Sequence, residues 1–425
     1  MNQPIDISAH WCHADEANEG TNPTLAEWRL SINDQIATTL IELGTGKLRD
    51  HLLAPMDIFA EWIAINWWRL RWEPAITSSH DWKMSHFLPS IGNGIAWPNV
   101  SIASDGDFVH FRSRPTRSQG SGMPVKFVSH FDEWVPAEAF EQGIDKFMSK
   151  VTTHLLHSKY REDVAKLWDE IIEERNDTNL STWRRLEALL GYDPDQAPDE
   201  IISSLINRFN ELGKESINEV AAEGRSQSLS LLKKLEVEIN NGTKGKLPPD
   251  DKSLKTAIEK IPKNQAVWRR ASDAAALARK QWRLGNGPIS DNQLLELLQL
   301  PRHVLGSNSH DSHLSVGLRT DENLRISLGG KRLEGRRFAL ARVLADNLIS
   351  SPSDHLLPIT RSGTSRQRFQ RAFAQEFLCP FSSIKEEIGD EPSNEDFIED
   401  ISDKYGVSPM TVEHLLINRG IIQAA

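Results

Sequence analysis

The chain has 425 residues, 39% hydrophobic and 26% charged, with 49 basic against 60 acidic side chains and a formal charge of −11. That length accommodates two or three domains with their own cores, and the acidic balance argues against a general nucleic-acid binder while allowing a local basic patch. Only Cys12 and Cys379 are present, too few for a disulfide framework or a cysteine zinc site. The polar opening lacks the apolar core of a signal peptide, and no stretch approaches the roughly 18 to 20 apolar residues of a membrane span, so the expectation is a cytoplasmic protein.

Residues 1–24 read as a loose arm. Residues 25–160 read as a tryptophan-rich α+β domain, helical from about 25 to 72 and ending in "AEWIAINWWRLRWEP". Trp62, Trp67, Trp68 and Trp72 are too many for one face, which predicts a helix packed on more than one side. Core packing is the expectation for these tryptophans rather than a ligand cage, with Trp97 the one whose exposure decides. "WPNVSIASDGDFVHFRS" alternates about Asp105-Gly106 as two strands and a tight turn. "MPVKFVSHFDEWV" supplies a third strand, and a proline-led helix follows. Residues 161–270 are expected to be helical, with a linker near 240–252 in "NNGTKGKLPPDDK". "GYDPDQAPDE" carries Asp193 and Asp195 but lacks the later residues of a calcium loop, so it reads as a helix stop before a proline-led helix.

From residue 271 the texture changes. "HLSVGLRTDENLRISLGGKRLEG" reads as two strands and a turn feeding the helix "RRFALARVLADNL", residues 336–348. Its Gly329-Gly330-Lys331 does not fit a P-loop. On the helix, Phe338, Leu340, Ala341, Leu344, Ala345 and Leu348 recur at core spacing, yet Arg342 and Asp346 stand one turn apart on one face.

The order of pieces in residues 271–425 resembles the ImmA/IrrE family of metallopeptidases. "RRFALA" resembles the start of the family's metal helix, "LSVGL…LRISL" its paired strands, "QRAFAQEFLCP" the helix after the site, and "ISDKYGVSPMTVEHLLINRGI" its closing helical pair. The resemblance implies a gluzincin-like α+β fold. It also implies zinc held by His-Glu-x-x-His, two imidazoles one turn apart with a glutamate activating water. Here those positions hold Arg342, Val343 and Asp346, and the third ligand should fall near Gln367 or Phe369, neither acidic. Arginine is a fixed cation that repels a metal, and valine cannot serve as a base. A pseudo-peptidase with no catalytic residues and no cofactor is therefore expected, zinc returning only if unusual ligands such as Asp346 with His355 recruit it.

Two readings of the charged pair stand side by side. In one, Arg342 and Asp346 form an intrahelical ion pair. In the other, the former catalytic groove has become basic. Residues 325–342 carry Arg325, Lys331, Arg332, Arg336, Arg337 and Arg342 against Glu334 alone, and residues 361–371 add Arg361, Arg366, Arg368 and Arg371 with no acid. Such a groove would take a protein partner through an acidic peptide, a phosphate or a nucleic-acid end. His310, His313 and His303 lie in a polar loop outside the metal-helix motif. "YGVSPMTVEHLL" also has the form of a helix-turn-helix, but residues 385–425 hold ten acids and three bases, a surface that phosphates repel. The functional expectation is recognition rather than catalysis. The family's setting in bacterial stress response, toxin–antitoxin or phage-defence modules comes from the resemblance alone. The alternatives are a repressor-cleaving metallopeptidase with unusual ligands, and a DNA-binding regulator.

Overall fold

Ala26, Trp28, Leu30 and Ile32 are buried while the residues between them are not, the period of a half-buried strand rather than of a helix. The computed structural model describes residues 3–12, 24–76, 79–116, 124–155, 161–248, 251–306, 313–320, 323–388 and 394–422. The chain divides into two compact units, Met1–Ile202 and Ser203–Ala425. Both combine helices with small antiparallel sheets, an α+β composition.

The first unit contains β1 (Ile5–Trp11), β2 (Leu25–Ile32), β3 (Gln35–Ile36), β4 (Leu40–Glu42), β5 (Leu48–Arg49), β6 (Leu52–Pro55) and α1 (Met56–Trp72). There follow α2 (His80–His86), β7 (Val100–Ser104), β8 (Phe108–Ser113), β9 (Val125–Phe127), β10 (Phe131–Pro136), α3 (Ala137–His154), α4 (Arg161–Asn176) and α5 (Thr178–Leu190). The expected helix over 25–72 is thus five strands and one helix. The arm is partly structural as well: β1 pairs antiparallel with β2 from Ile5↔Ile32 to Trp11↔Ala26, because Ile5 and Ile7 enter the core. Gly143 on α3 permits that approach, since a Cβ there would lie 2.3 Å from the Ile5 side chain. The expected third strand splits, β9 pairing with β4 and β10 with β8. The hairpin of β7 and β8 turns at Asp105-Gly106 as its residues indicate.

Helix α1 packs against α2, α3, α4, α5 and β7, which accounts for its many tryptophans. Trp62, Trp67 and Trp68 are buried, and Trp97 is only 4% exposed beside Trp28 and Phe59. These rings are core. The guanidinium groups of Arg71 and Arg185 lie 3.9 and 4.1 Å from the centre of the Trp72 ring, cation–π contacts.

After α6 (Asp199–Ile206), which spans the boundary, the second unit holds α7 (Phe209–Leu212), α8 (Lys214–Gly224), α9 (Ser228–Asn240), β11 (Thr243–Lys246), α10 (Asp251–Glu259), α11 (Val267–Gln281) and α12 (Asp291–Leu297). It continues with β12 (Ser315–Thr320), β13 (Asn323–Ser327), α13 (Leu333–Ile349), β14 (Leu356–Ile359), α14 (Ser365–Leu378), α15 (Phe381–Ile388), α16 (Glu395–Tyr405) and α17 (Pro409–Asn418). Its antiparallel sheet runs β11-β13-β12-β14. The stretch read as a linker supplies β11, with Thr243 opposite Ile326 and Lys246 opposite Asn323. The helical residues 161–270 are shared between the two units. Helix α13 lies on β14 and β12 and beside α14, which in turn packs on α11.

Candidate anion-binding site

The candidate site grows from α13, buried along almost its whole length. Arg336 and Arg337, expected to line a basic groove, turn inward instead. Arg336 donates to the carbonyls of Leu305, Gly330 and Lys331. Arg337 donates to the carbonyls of Ile289 and Gly406 and pairs with Asp291. Both guanidiniums thus direct their N–H groups to loop carbonyls within the unit. Arg337 also ties the closing helical pair to its unit. Between α16 and α17, Gly406 adopts a left-handed φ of 61°, as a helix-ending glycine does. Val412, Leu415 and Leu416 of α17 are buried, which identifies this pair as packed structure.

Val343, at the position where the resemblance would place a catalytic glutamate, is fully buried. It packs over Gly317 of β12, where a Cβ would come 3.1 Å from its methyl group. Asp346 is also fully buried, but its partner is not Arg342. Arg366, on α14, grips it with two bonds of 2.6 and 2.9 Å, the bidentate geometry that suits arginine and carboxylate. Asp354 stands 3.5 Å from the same guanidinium. Burial disfavours the charge on Arg366, but Asp346, Glu219 and Asp354 outweigh that and raise its ionisation. The carboxyl of Glu219, on α8, accepts a 2.7 Å bond from Thr364, and desolvation holds it above the ordinary glutamate range.

Arg342 points elsewhere and, among the described residues, has no carboxylate hydrogen-bonded to it. Its Nη2 donates to the carbonyl of Thr360 at 2.6 Å, to Oε1 of Gln367 at 2.6 Å and to Oε1 of Gln370 at 3.2 Å. Its Nε is buried without an acceptor, and the residue is 8% exposed. Desolvation, followed by the positive charge of Arg371, pulls its ionisation down to about 9, so it remains a cation at neutral pH. The intrahelical pair expected from the i, i+4 spacing is therefore absent. Of the two positions proposed for a third ligand, Gln367 meets Arg342 directly, whereas Phe369 is core.

Arg342 lines a cleft of about 180 Å³ together with His313, Phe338, Thr360 and Arg361. Among the described residues, no aspartate or glutamate lines it. Arg361 is exposed, and its backbone N–H is anchored on Glu223 at 3.0 Å. Of the other expected groove cations, Arg371 donates to the carbonyl of Ser362 at 3.0 Å, and Arg368 is half-buried and engaged. Arg325 is half-buried on β13, while Lys331 and Arg332 are exposed; none of these three is in the cleft wall. The groove thus reduces to Arg342 and Arg361. The donor set does not fit zinc: a cation and an isopropyl group stand at two motif positions, and the one carboxylate is bound to Arg366. His355 hydrogen-bonds the carbonyl of Glu211 at 3.0 Å. Among the described residues no three His, Cys, Asp or Glu side chains form a metal-binding group. Of the polar-loop histidines, His310 lies outside the described residues; His303 is exposed, 3.4 Å from the Thr243 hydroxyl.

The first unit has its own buried charge network, legible in sequence only as scattered charges. Arg69 bonds Glu73 at 2.7 Å, Asp81 at 3.0 Å and Asp193 at 3.0 Å. Burial alone would raise Glu73, but His86, at 3.0 Å, and Arg69 hold its carboxyl at about 2. Asp195 grips Arg184, so the acids of "GYDPDQAPDE" are arginine partners at a helix stop. Every member is matched by an opposite charge, which marks the network as structural.

Compared with known proteins, the chain matches no family model, no curated protein and no solved structure. Among the described residues, no helix is long and apolar enough to cross a membrane.

Proposed function

We propose that the chain is a catalytically degenerate, ImmA/IrrE-like protein that works by recognition, its former catalytic cleft receiving an anionic group of a protein partner or ligand. The bacterial stress-response, toxin–antitoxin or phage-defence setting belongs to the resemblance. The observation that carries the reading is Arg342: a buried cation, short of an acceptor at Nε, in a cleft whose wall, among the described residues, contains no carboxylate. Asp346, Glu219 and Glu223 favour the charge of Arg342 only through space and do not outweigh desolvation, so an incoming anion that hydrogen-bonds it directly relieves part of the cost of burying it. Hydrolysis through zinc does not suit these residues, for the reasons of charge given above. The test is fluorescence anisotropy with labelled acidic peptides, phosphopeptides and 5′-phosphorylated oligonucleotides against neutral controls. Wild-type protein should bind at least one acidic member, and Arg342→Glu and Arg361→Glu, verified as folded by circular dichroism, should weaken it by tenfold or more, since charge-assisted bonds contribute about 1.5 to 3 kcal/mol. Binding of none, or binding untouched by charge reversal, would refute the proposal.

A further inference from the structure

Strand β14 ends its sheet, and Ile359 and the adjoining Thr360 form part of the cleft wall. The main-chain groups of such a strand alternate in direction. The carbonyl of His355 accepts from the backbone N–H of Arg319 on β12 at 2.8 Å, so the groups of Leu356, Pro358 and Thr360 point away from the sheet. An extended peptide recognised by strand addition would need those outward groups, but side chains already hold most of them. The Leu356 carbonyl accepts from the hydroxyl of Ser216. The Pro358 carbonyl accepts from Nε2 of Gln367 at 3.0 Å, and proline has no N–H to offer. The Thr360 N–H donates to Oε1 of Gln367 at 2.9 Å, and its carbonyl accepts from Arg342 at 2.6 Å. The edge is closed by the chain's own amides and by the guanidinium that faces the cleft.

We infer that the cleft takes one compact oxyanion, a carboxylate or phosphate presented end-on to Arg342 and Arg361, and excludes a peptide laid along β14. The inference rests on the recognition reading above and narrows it from acidic partners in general to a single anionic group. All hydrogen bonds of Arg342 leave from Nη2, so Nη1 has no acceptor among the described residues. The cleft, about 180 Å³, has room for a compact oxyanion.

The test is isothermal titration of the full chain at fixed ionic strength with three probes: inorganic phosphate, N-acetylglycine, and an acidic heptapeptide blocked at both ends. Phosphate, N-acetylglycine or both should bind, and the stronger of the two identifies the source of the oxyanion. Binding should weaken about tenfold in Arg342→Gln and about threefold in Arg361→Gln, while the blocked peptide, able to present only one side-chain carboxylate at a time, should bind no more tightly than N-acetylglycine. Arg361 is exposed, so its variant decides the matter even where Arg342→Gln does not fold. A blocked peptide that binds more tightly than either small anion, and loses that binding in Arg361→Gln, would overturn end-on binding and leave anion recognition standing. No binding by any probe, or binding indifferent to Arg361→Gln, would overturn the oxyanion site together with the reading beneath it.

Discussion

Replacing Asp346 with alanine distinguishes the two possible partners of that carboxylate by size of effect. An exposed i, i+4 pair with Arg342 would contribute at most about 0.5 kcal/mol. The structure instead buries Asp346 completely in a bidentate grip with Arg366, and breaking a buried pair costs about 3 to 5 kcal/mol because one charge is left without its counterion. Asp354, 3.5 Å from Arg366, retains part of the compensation, which places the expected loss near the lower end, about 3 kcal/mol. The assay is hydrogen exchange resolved to peptides of α13 and α14, since these report the second unit directly. The cycle supplies the assignment: the cost of Asp346→Ala should largely vanish in an Arg366→Met background and persist in Arg342→Met. A loss below about 1 kcal/mol, or a loss cancelled by Arg342→Met, would show the pairing to be wrong.

Arg337→Met should lower stability by about 2 kcal/mol or more by orphaning the carbonyls of Ile289 and Gly406, seen as faster exchange in α16 and α17, while anion affinity per folded molecule stays unchanged. Acid titration should expose the first-unit network. Glu73 is held at about 2 against an ordinary 4.5, so its contribution is complete above 4.5 and disappears as pH falls toward 2. The depressed pKa corresponds to about 3 kcal/mol. Urea melts from pH 6 to pH 2 should show that slope in wild type and lose it in Glu73→Gln. Elemental analysis of untagged protein should give less than about a tenth of an equivalent of zinc, the donor set being unsuited to it. Near-stoichiometric zinc that is lost in Asp346→Ala would return an enzyme to the leading position.

Local patterns carried the elements whose signal is local. The Asp105-Gly106 hairpin and the helix at 336–348 needed only turn chemistry and spacing. The strands of residues 25–55 were legible in the alternation of "LAEWRLSI" but lay beside a tryptophan-rich helix whose pattern dominated the reading. β11 was hidden because "TKGK" has no apolar face; its partner is β13, some eighty residues further on. The site was half legible. Charge counting found the arginines but not their directions, since these depend on acceptors remote in sequence: Leu305 for Arg336, Gly406 for Arg337, Asp346 for Arg366. An arginine that quenches buried carbonyls and one that awaits a ligand look alike in a one-dimensional count. What separates Arg342 from its neighbours is that, among the described residues, all its acceptors lie at Nη2 and none is a carboxylate.

The guanidinium of Arg366, set among Asp346, Glu219 and Asp354, is a cation tethered to the chain by its own side chain. A fold nucleated on a bound metal ion is assembled only when that ion is supplied, and it is dismantled by a chelator. Here the central positive charge is synthesised with the polypeptide, at fixed stoichiometry and with no dissociation constant.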